Sequence, residues 1–201
     1  MYETKKNNTK DSILETAAKF FSERGYDRVT TREIANDVGI NPASLYYHFT
    51  SKEEILRSLY NYYSDELHKA MPDIEKLLYK AETDPPFSVL ASAMFDFDED
   101  KQEILDQIRI TAVRRLGSDP ESESFIRENV FGSVSTILQP LLGRLIELQK
   151  IKPLDIDTFI GVFSYYNFSA GILTNTSIGH NLDEYHATMA WLFSLIVPIE
   201  E

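Results

Sequence analysis

The sequence predicts an all-α fold in which three short helices near the N-terminal end precede a longer helical body. Three helix-start signals fall within residues 30–54, and apolar residues beyond them recur at helical spacing. We find no convincing strand or repeat. We therefore expect a small three-helix domain over residues 1–52 and a larger helical domain over residues 53–201.

The first start signal is a capping box made by Thr30 and Glu33. The side chain of each can satisfy a backbone N–H of the other, so a helix should begin near Thr31. This helix should end at Gly39, because glycine tolerates the left-handed conformation that closes a helix and turns the chain.

A second helix must begin almost at once. Asn41 can serve as its N-cap, and Pro42 suits the first helical position, where its missing N–H costs nothing. Ser51 and Glu54 form a further capping box, which starts the next helix along the chain. Two helices joined by so short a turn cross steeply, and the small Ala35 allows close approach, so the segment predicts a helix-turn-helix.

The second helix of this motif has two different faces. Leu45 and Phe49 are four residues apart and share an inward face with Pro42. The outward face and its flanks carry Ala43, Ser44, Tyr46 and Tyr47. Such small, polar and aromatic side chains suit the major groove of DNA, where hydroxyls and methyl groups can contact bases or phosphates. The alternative is an ordinary helical corner that never touches DNA.

This segment resembles the TetR family of bacterial transcriptional repressors. The resemblance rests on the runs at 45–49 and 51–54. Upstream, the first helix at 13–21 and the Gly25-Tyr26 pair that follows it also match the family. The match covers roughly the first quarter of the chain. One departure is the run at 41–43, where the family often has a small polar residue, a lysine and a glycine. The operator sequence therefore cannot be carried over.

The resemblance implies a set of DNA-contacting residues. The residues expected nearest the bases are Ala43, Ser44 and Tyr46. Those expected to contact phosphates are Thr31, Arg32, Tyr47, His48 and Lys52. Pro42 begins the second helix of the motif, which would be the recognition helix. The free N–H groups of the helix beginning beside Lys52 also favour a phosphate. Tyr46 has an equally simple alternative, packing against the first helix or against the helix that begins near Ser51, and His48 could be exposed without a specific role.

Charge is distributed unevenly along the chain. The formal net charge is −12, but residues 1–52 carry eight basic and seven acidic side chains, against 12 basic and 25 acidic in the remainder. An acidic body repels DNA and leaves the N-terminal face as the plausible contact. An acidic surface that serves solubility alone explains the same excess.

Other classes of protein find little support. The chain has no cysteine, which excludes disulfides and thiolate sites, and it shows neither a signal-peptide layout nor a membrane span, so we expect a cytoplasmic product. No phosphate-binding glycine loop, His-Glu-x-x-His helix or nucleophile elbow is present, so we expect no enzyme activity, cofactor or catalytic residue. His180 and His186 could be imagined as metal ligands, but a loop followed by a helix start explains them more simply, and we predict no metal site.

The body should contain a series of helices separated by proline-rich or acidic breaks. The apolar spacing from Ile55 to Leu67 predicts a long helix that ends near Pro72. Further helices are expected at about 73–82, 86–95, 100–116, 121–150, 156–176 and 183–197. Pro140 should kink or divide the longest of them, because it removes a helical hydrogen bond.

The last two helices are unusually apolar and suggest a homodimer. The two helices could pair with their copies across a two-fold axis, as the resemblance also implies. The candidate interface residues are Phe159, Val162, Ala170, Met189, Leu192, Phe193 and Ile196. The alternative for the same residues is a core within one chain.

The resemblance further implies that a small molecule binds the body and releases DNA. Aromatic walls with a few polar groups would suit a hydrophobic or aromatic effector with one polar end. The candidate residues are Phe87, Met94, Phe95, Arg109, Phe131, Phe163, Tyr166 and Asn167.

These features together predict a ligand-responsive repressor that binds an inverted repeat of double-stranded DNA as a homodimer. Two recognition helices related by a two-fold axis meet two half-sites of opposite orientation. One alternative is an activator, which carries the same DNA-binding domain at residues 1–52, here called the head. The other is a helix-turn-helix protein that acts mainly through protein partners.

Overall fold

The computed structural model describes residues 8–95, 97–173 and 182–197, in which no β-strand occurs. The side chains at 167, 170–173 and 182–186 lie outside the described part of the chain. The prediction of an all-α fold is confirmed.

The helices follow one another with short connections. In chain order they are α1 (Thr9–Arg24), a 3₁₀ turn (Tyr26–Arg28), α2 (Thr31–Val38), α3 (Pro42–His48), α4 (Lys52–Ala70), α5 (Ile74–Thr83), α6 (Pro86–Ala91), a second 3₁₀ turn (Glu99–Lys101), α7 (Gln102–Arg114), α8 (Pro120–Ile126), a π-helical segment (Arg127–Gly132), α9 (Ser133–Glu147), α10 (Ile156–Leu173) and α11 (Leu182–Ser194).

The packing divides the chain into two compact units. The first unit is formed by Met1–His68 with Asp98–Phe125, and the second by Lys69–Phe97 with Ile126–Glu201. The packing units thus differ in extent from the predicted division after Lys52, because α7, α8 and most of α4 pack in the same unit as the N-terminal helices.

Two predicted helices differ from the observed ones. The helix expected over 86–95 ends at Ala91, because the next backbone hydrogen bonds, such as Ala93 N–H to Leu90 O, are of the tighter i to i+3 type. The helix expected over 121–150 is interrupted by the π-helical segment rather than divided at Pro140, which lies inside α9. Helix α9 continues through Pro140, and the neighbouring Leu141 and Leu142 are fully buried.

The core of the first unit joins the N-terminal helices to α7. Helix α1 packs against both α2 and α7, and α2 packs against α3. The fully buried side chains of this unit include Ile13, Phe21, Ile34, Leu45, Phe49, Ile55, Leu59, Leu105 and Ile108. Each such burial stabilises the fold by about 1.5–3 kcal/mol relative to exposure.

The core of the second unit is formed mainly by α5, α6, α9, α10 and α11. Its centre is aliphatic, with Leu90, Leu141 and Leu142 fully buried, and Phe163 and Phe193 stack against each other with ring centroids 5.8 Å apart. Although α10 is apolar along much of its length, none of the described helices combines the length and hydropathy needed to cross a bilayer.

Candidate nucleic-acid interface

Helix α2 begins where the capping box predicts. The backbone N–H of Glu33 donates to Thr30 Oγ1 (3.3 Å), and the N–H of Thr30 donates to Glu33 Oε2 (2.8 Å). The hydrogen bonds from Thr30 hold the pKa of the Glu33 carboxyl below its ordinary value of 4.5. The cap places Thr31 and the exposed Arg32 in the first turn, where the free N–H groups and positive helix dipole favour an anion.

The turn between α2 and α3 is fixed by a left-handed glycine. Gly39 has φ +77°, and the N–H of Ile40 donates to Ala35 O (2.9 Å), which closes the end of α2. Asn41 then caps α3, since its Oδ1 accepts from the N–H of Ala43 (2.7 Å). The predicted helix-turn-helix is thus built by the residues that the sequence indicates.

Helix α3 separates its inward and outward side chains sharply. Leu45 and Phe49 are buried, whereas Ala43 and Ser44 are exposed and Tyr47 is 88% exposed. Pro42 is half-buried at the first helical position. An exposed surface of a methyl group, a hydroxyl and a phenol therefore rests on a rigid apolar base, as recognition of base edges and phosphates requires.

The contact that the structure shows for Tyr46 is with α2, whereas the packing alternative named the first helix or the helix that begins near Ser51. The Tyr46 hydroxyl lies 3.1 Å from Thr31 Oγ1, so the side chain links α3 to the start of α2. The residue nevertheless remains 52% exposed. His48 is half-buried, with its ring edge-on to that of Tyr47 at 5.4 Å between centroids.

Lys52 is engaged inside the protein rather than extended from it. Its Nζ donates to the carbonyl oxygens of Tyr26 and Val29, both at 3.0 Å, and lies 4.1 Å from the centroid of the Tyr26 ring. An ammonium has three donors, so these bonds leave one for a phosphate. Lys52 consequently ties the start of α4 to the turn before α2, a role that its sequence position does not reveal.

The start of α4 differs in detail from the predicted box. The N–H of Glu54 donates to Ser51 Oγ (3.1 Å) as predicted, but the Glu54 carboxylate reaches Thr50 rather than the backbone of Ser51. The N–H and hydroxyl of Thr50 donate to it at 2.5 and 2.6 Å and lower the pKa of Glu54 below its ordinary value. The cap is therefore shared by three residues.

The predicted effector residues are spread over both units. Phe163 is buried in the core of the second unit, and Met94, Phe95 and Tyr166 pack against that core. Phe131 contacts Tyr165 and Phe168 of α10, and Phe87 is half-exposed with its ring near Phe193. The remaining two are Arg109, which belongs to the first unit and is paired with Asp106, and Asn167, whose side chain lies outside the described residues.

The predicted interface residues of the last two helices fall into two groups. Met189, Leu192, Phe193 and Ile196 are buried in the core of the second unit, and Phe159 packs partly buried against it, as the alternative of an internal core holds. Val162 is exposed, and the side chain of Ala170 lies outside the described part. Three further apolar side chains, which the apolar stripes of these helices do not single out, are exposed: Tyr165 on α10, Trp191 on α11 and Leu195 just beyond the end of α11.

The geometry defines a protein with a helix-turn-helix, and comparison with known proteins identifies its class as DNA-binding regulators. A model of the bacterial regulatory proteins of the tetR family matches residues 13–59. The negative transcriptional regulator IcaR of the biofilm operon icaADBC is 30% identical in Staphylococcus aureus, over 71% of this chain and 72% of that protein. The IcaR of Staphylococcus epidermidis is 38% identical over 45% of this chain and about half of that protein, 48%.

Solved structures share the fold over nearly the whole chain. The TetR family regulator PfmR from Thermus thermophilus has a TM-score of 0.68 at 23% identity and covers 97% of this chain and 99% of its own. AibR, solved with isovaleryl coenzyme A and operator DNA, has a TM-score of 0.65 at 21% identity over 96% of this chain and 100% of its own. This chain belongs to the TetR family of bacterial transcriptional regulators, as the resemblance in the N-terminal quarter predicts.

Proposed function

We propose that this protein is a ligand-responsive repressor that binds an inverted-repeat operator as a homodimer. The observation that carries the proposal is α3, whose buried Leu45 and Phe49 fix a protruding outward face headed by Tyr47. We further propose that residues 1–52 supply the DNA contacts, and that residues 53–201 supply dimerisation and effector binding. The negative regulation named for IcaR favours repression over activation.

The proposed contacts divide by depth in the groove. Ala43, Ser44 and Tyr46 lie nearest the bases, and Thr31, Arg32, Tyr47 and His48 reach phosphates, with Pro42 setting the start of the recognition helix. Lys52 contributes one remaining donor to a phosphate and its other two to the Tyr26 and Val29 carbonyls. Replacing one cationic side chain that binds a phosphate should reduce the slope of log K against log salt by about 0.9.

The proposed dimer surface is the exposed apolar part of α10 and α11. Val162 and Tyr165 are three residues apart on α10, and Leu195, just beyond the end of α11, is four residues after Trp191 and donates its N–H to the Trp191 carbonyl, so the members of each pair lie on the same side. Met189, Leu192, Phe193 and Ile196 support this surface from the core beneath. A two-fold axis through such a surface would present two α3 helices to the two half-sites.

The proposed effector is a small molecule with a hydrophobic or aromatic portion. The aromatic residues of the second unit, among them Phe131, Phe163 and Tyr166, offer contacts for such a portion. The complex of AibR with isovaleryl coenzyme A makes short acyl thioesters of coenzyme A a sensible first set of compounds. Fluorescence anisotropy of a labelled operator measures whether these compounds release the DNA from the protein.

The central experiment selects bound sequences from random duplex DNA with the purified protein and measures the enriched duplex by anisotropy. Tyr47→Ala should weaken binding roughly tenfold or more, since it removes a main contact. Tyr79→Ala is the matched control, because Tyr79 is also highly exposed (69%) but lies on α5 in the second unit. Failure to enrich an inverted repeat, or equal losses in both variants, would overturn the proposal.

A further inference from the structure

Tyr26, in the turn between α1 and α2, lies under two cations that come from distant parts of the chain. Lys52 Nζ and the Arg115 guanidinium carbon each lie 4.1 Å from the centroid of its ring. We propose that Arg115 is a positioning residue for DNA binding, which holds Tyr26 and thereby fixes the helix-turn-helix. The inference rests on the proposed DNA-binding function and adds a residue outside the motif to it.

Tyr26 is well placed to transmit such a constraint. Its side chain is buried and packs edge-on against Phe21 of α1, with ring centroids 5.0 Å apart. Its carbonyl oxygen and that of Val29 accept the two hydrogen bonds of Lys52. The turn that precedes Thr30, the N-cap of α2, is therefore held both through the ring of Tyr26 and through the backbone carbonyls of Tyr26 and Val29.

Arg115 is itself held on two sides. Its Nε lies 3.3 Å from Asp119 Oδ2, and its terminal nitrogen lies 3.6 Å from Asp27 Oδ1, in the same turn as Tyr26. The guanidinium is planar and rigid, so these partners orient it over the ring. A cation over an aromatic face is attracted by the ring quadrupole, most strongly where water is partly excluded.

The anchor of Arg115 continues into the interior of the first unit. Asp119 accepts hydrogen bonds from the backbone N–H and the hydroxyl of Ser122. The Ser122 hydroxyl lies 2.7 Å from the buried hydroxyl of Tyr60 on α4. The contacts thus run from α4 and the start of α8, through Asp119 and Arg115, to the turn before the helix-turn-helix.

Arg115 and its anchoring residues lie outside the surface proposed to meet DNA, and this makes the inference testable. Arg115→Gln should weaken binding to the selected operator roughly tenfold by releasing the turn, with the protein still folded. Arg115→Lys keeps a cation but lacks the planar guanidinium that Asp27 and Asp119 orient, so it should show an intermediate loss of roughly threefold. The matched control is Arg127→Gln, an exposed arginine of the π-helical segment that carries the same change of charge.

Amide hydrogen exchange of the free protein supplies a readout that does not need DNA. In Arg115→Gln, the amides of the Tyr26–Arg28 turn and of α2 and α3 should exchange roughly tenfold faster, whereas those of α9 should not change. A merely structural loss would speed exchange throughout the chain. If wild type binds no DNA, the proposed function fails, while this measurement still decides whether Arg115 holds the turn.

The inference is overturned if Arg115→Gln matches Arg127→Gln in both affinity and exchange. If circular dichroism shows that Arg115→Gln is unfolded, the same contact is tested by replacing Tyr26 instead, with DNA affinity measured at low temperature. Tyr26→Phe keeps the aromatic face and should bind DNA as wild type, whereas Tyr26→Leu should lose roughly tenfold. Equal affinities of these two variants would also overturn the inference.

Discussion

The outward side of α3 and the outward side of the α10–α11 pair both carry exposed aromatic residues, yet they differ in what surrounds those residues. On α3, Tyr47 stands beside the small Ala43 and Ser44. On α10 and α11, Tyr165 and Trp191 stand beside Val162 and Leu195. A polar surface with a protruding phenol suits a hydrated polyanion, whereas an apolar one gains most by contact with another apolar surface.

The two regions also differ in how they are held. Helix α3 has seven residues and depends on its caps and on Leu45 and Phe49 beneath it. Helix α10 has 18 residues and is packed against an extensive aliphatic core. A short helix of this kind is marginal by itself, so the accuracy of its placement comes from its neighbours. The DNA-binding head should therefore be more sensitive to small changes than the C-terminal helices.

The largest expected effect separates the inner from the outer side of α3. Leu45→Ala leaves a cavity under the helix and should destabilise the protein by about 2–5 kcal/mol, with loss of DNA binding. Tyr47→Ala should weaken DNA binding roughly tenfold or more but change stability by no more than about 0.5 kcal/mol, because its side chain is exposed. Urea unfolding with parallel anisotropy measures both. A large loss of stability in Tyr47→Ala would show that its ring is structural.

The next effect tests the apolar side of the C-terminal helices. Trp191→Glu places a charge in the proposed dimer surface, and the cost of burying it without a partner should raise the dimer dissociation constant by roughly two orders of magnitude or more. Light scattering after gel filtration should then report monomer. Tyr79→Glu, at a similarly exposed aromatic on α5, serves as the control and should leave the dimer intact. A Trp191→Glu protein that remains dimeric would place the interface elsewhere.

Local signals in the sequence account for most of the head. Thr30, Gly39 and Asn41 act where the chain predicts because each satisfies backbone groups within a few residues of itself. The same locality explains the helix starts at 31, 42 and 52. The capping partner of Glu54 is the exception, because its carboxylate accepts from Thr50 rather than from the backbone of Ser51.

Long-range partners cannot be predicted from such local signals. The contacts of Lys52 with the Tyr26 and Val29 carbonyls, and of Arg115 with Tyr26, join residues far apart in the chain, and no spacing rule predicts them.

The spacing of apolar residues along a helix also cannot distinguish a dimer surface from an internal core when the helix is apolar on most sides. The apolar pattern of α11 therefore predicts Met189 and Leu192 in the interface, although both lie in the core of the second unit. The same pattern does not single out Trp191, which lies between them in the chain and is exposed. Only the packing of the helix decides which side faces outward.

A smaller effect concerns the link between α2 and α3. Tyr46→Phe and Thr31→Val each remove one hydroxyl of the pair that lies 3.1 Å apart. Each variant should lose about 1 kcal/mol of stability, and the double variant should lose little more than either, because the second change removes no further bond. Thermal unfolding of the four proteins forms the cycle. Additive losses would mean that the two hydroxyls act independently.

The smallest expected effect is a pH dependence of the caps of α2 and α4. The pKa values of Glu33 and Glu54 are lowered in the folded protein by hydrogen bonds from Thr30 and Thr50. Groups with depressed pKa values stabilise the fold above their unfolded pKa, and this contribution is lost as the pH falls through the folded pKa. Between about pH 6 and pH 3 the thermal midpoint should therefore fall less in Glu33→Gln than in wild type.

The control for this titration is Glu75→Gln, which makes the same substitution at an exposed glutamate in the first turn of α5. Parallel curves for Glu33→Gln and wild type would show that the charge of Glu33 adds nothing to its cap. The cap of α2 would then depend on hydrogen-bond geometry alone.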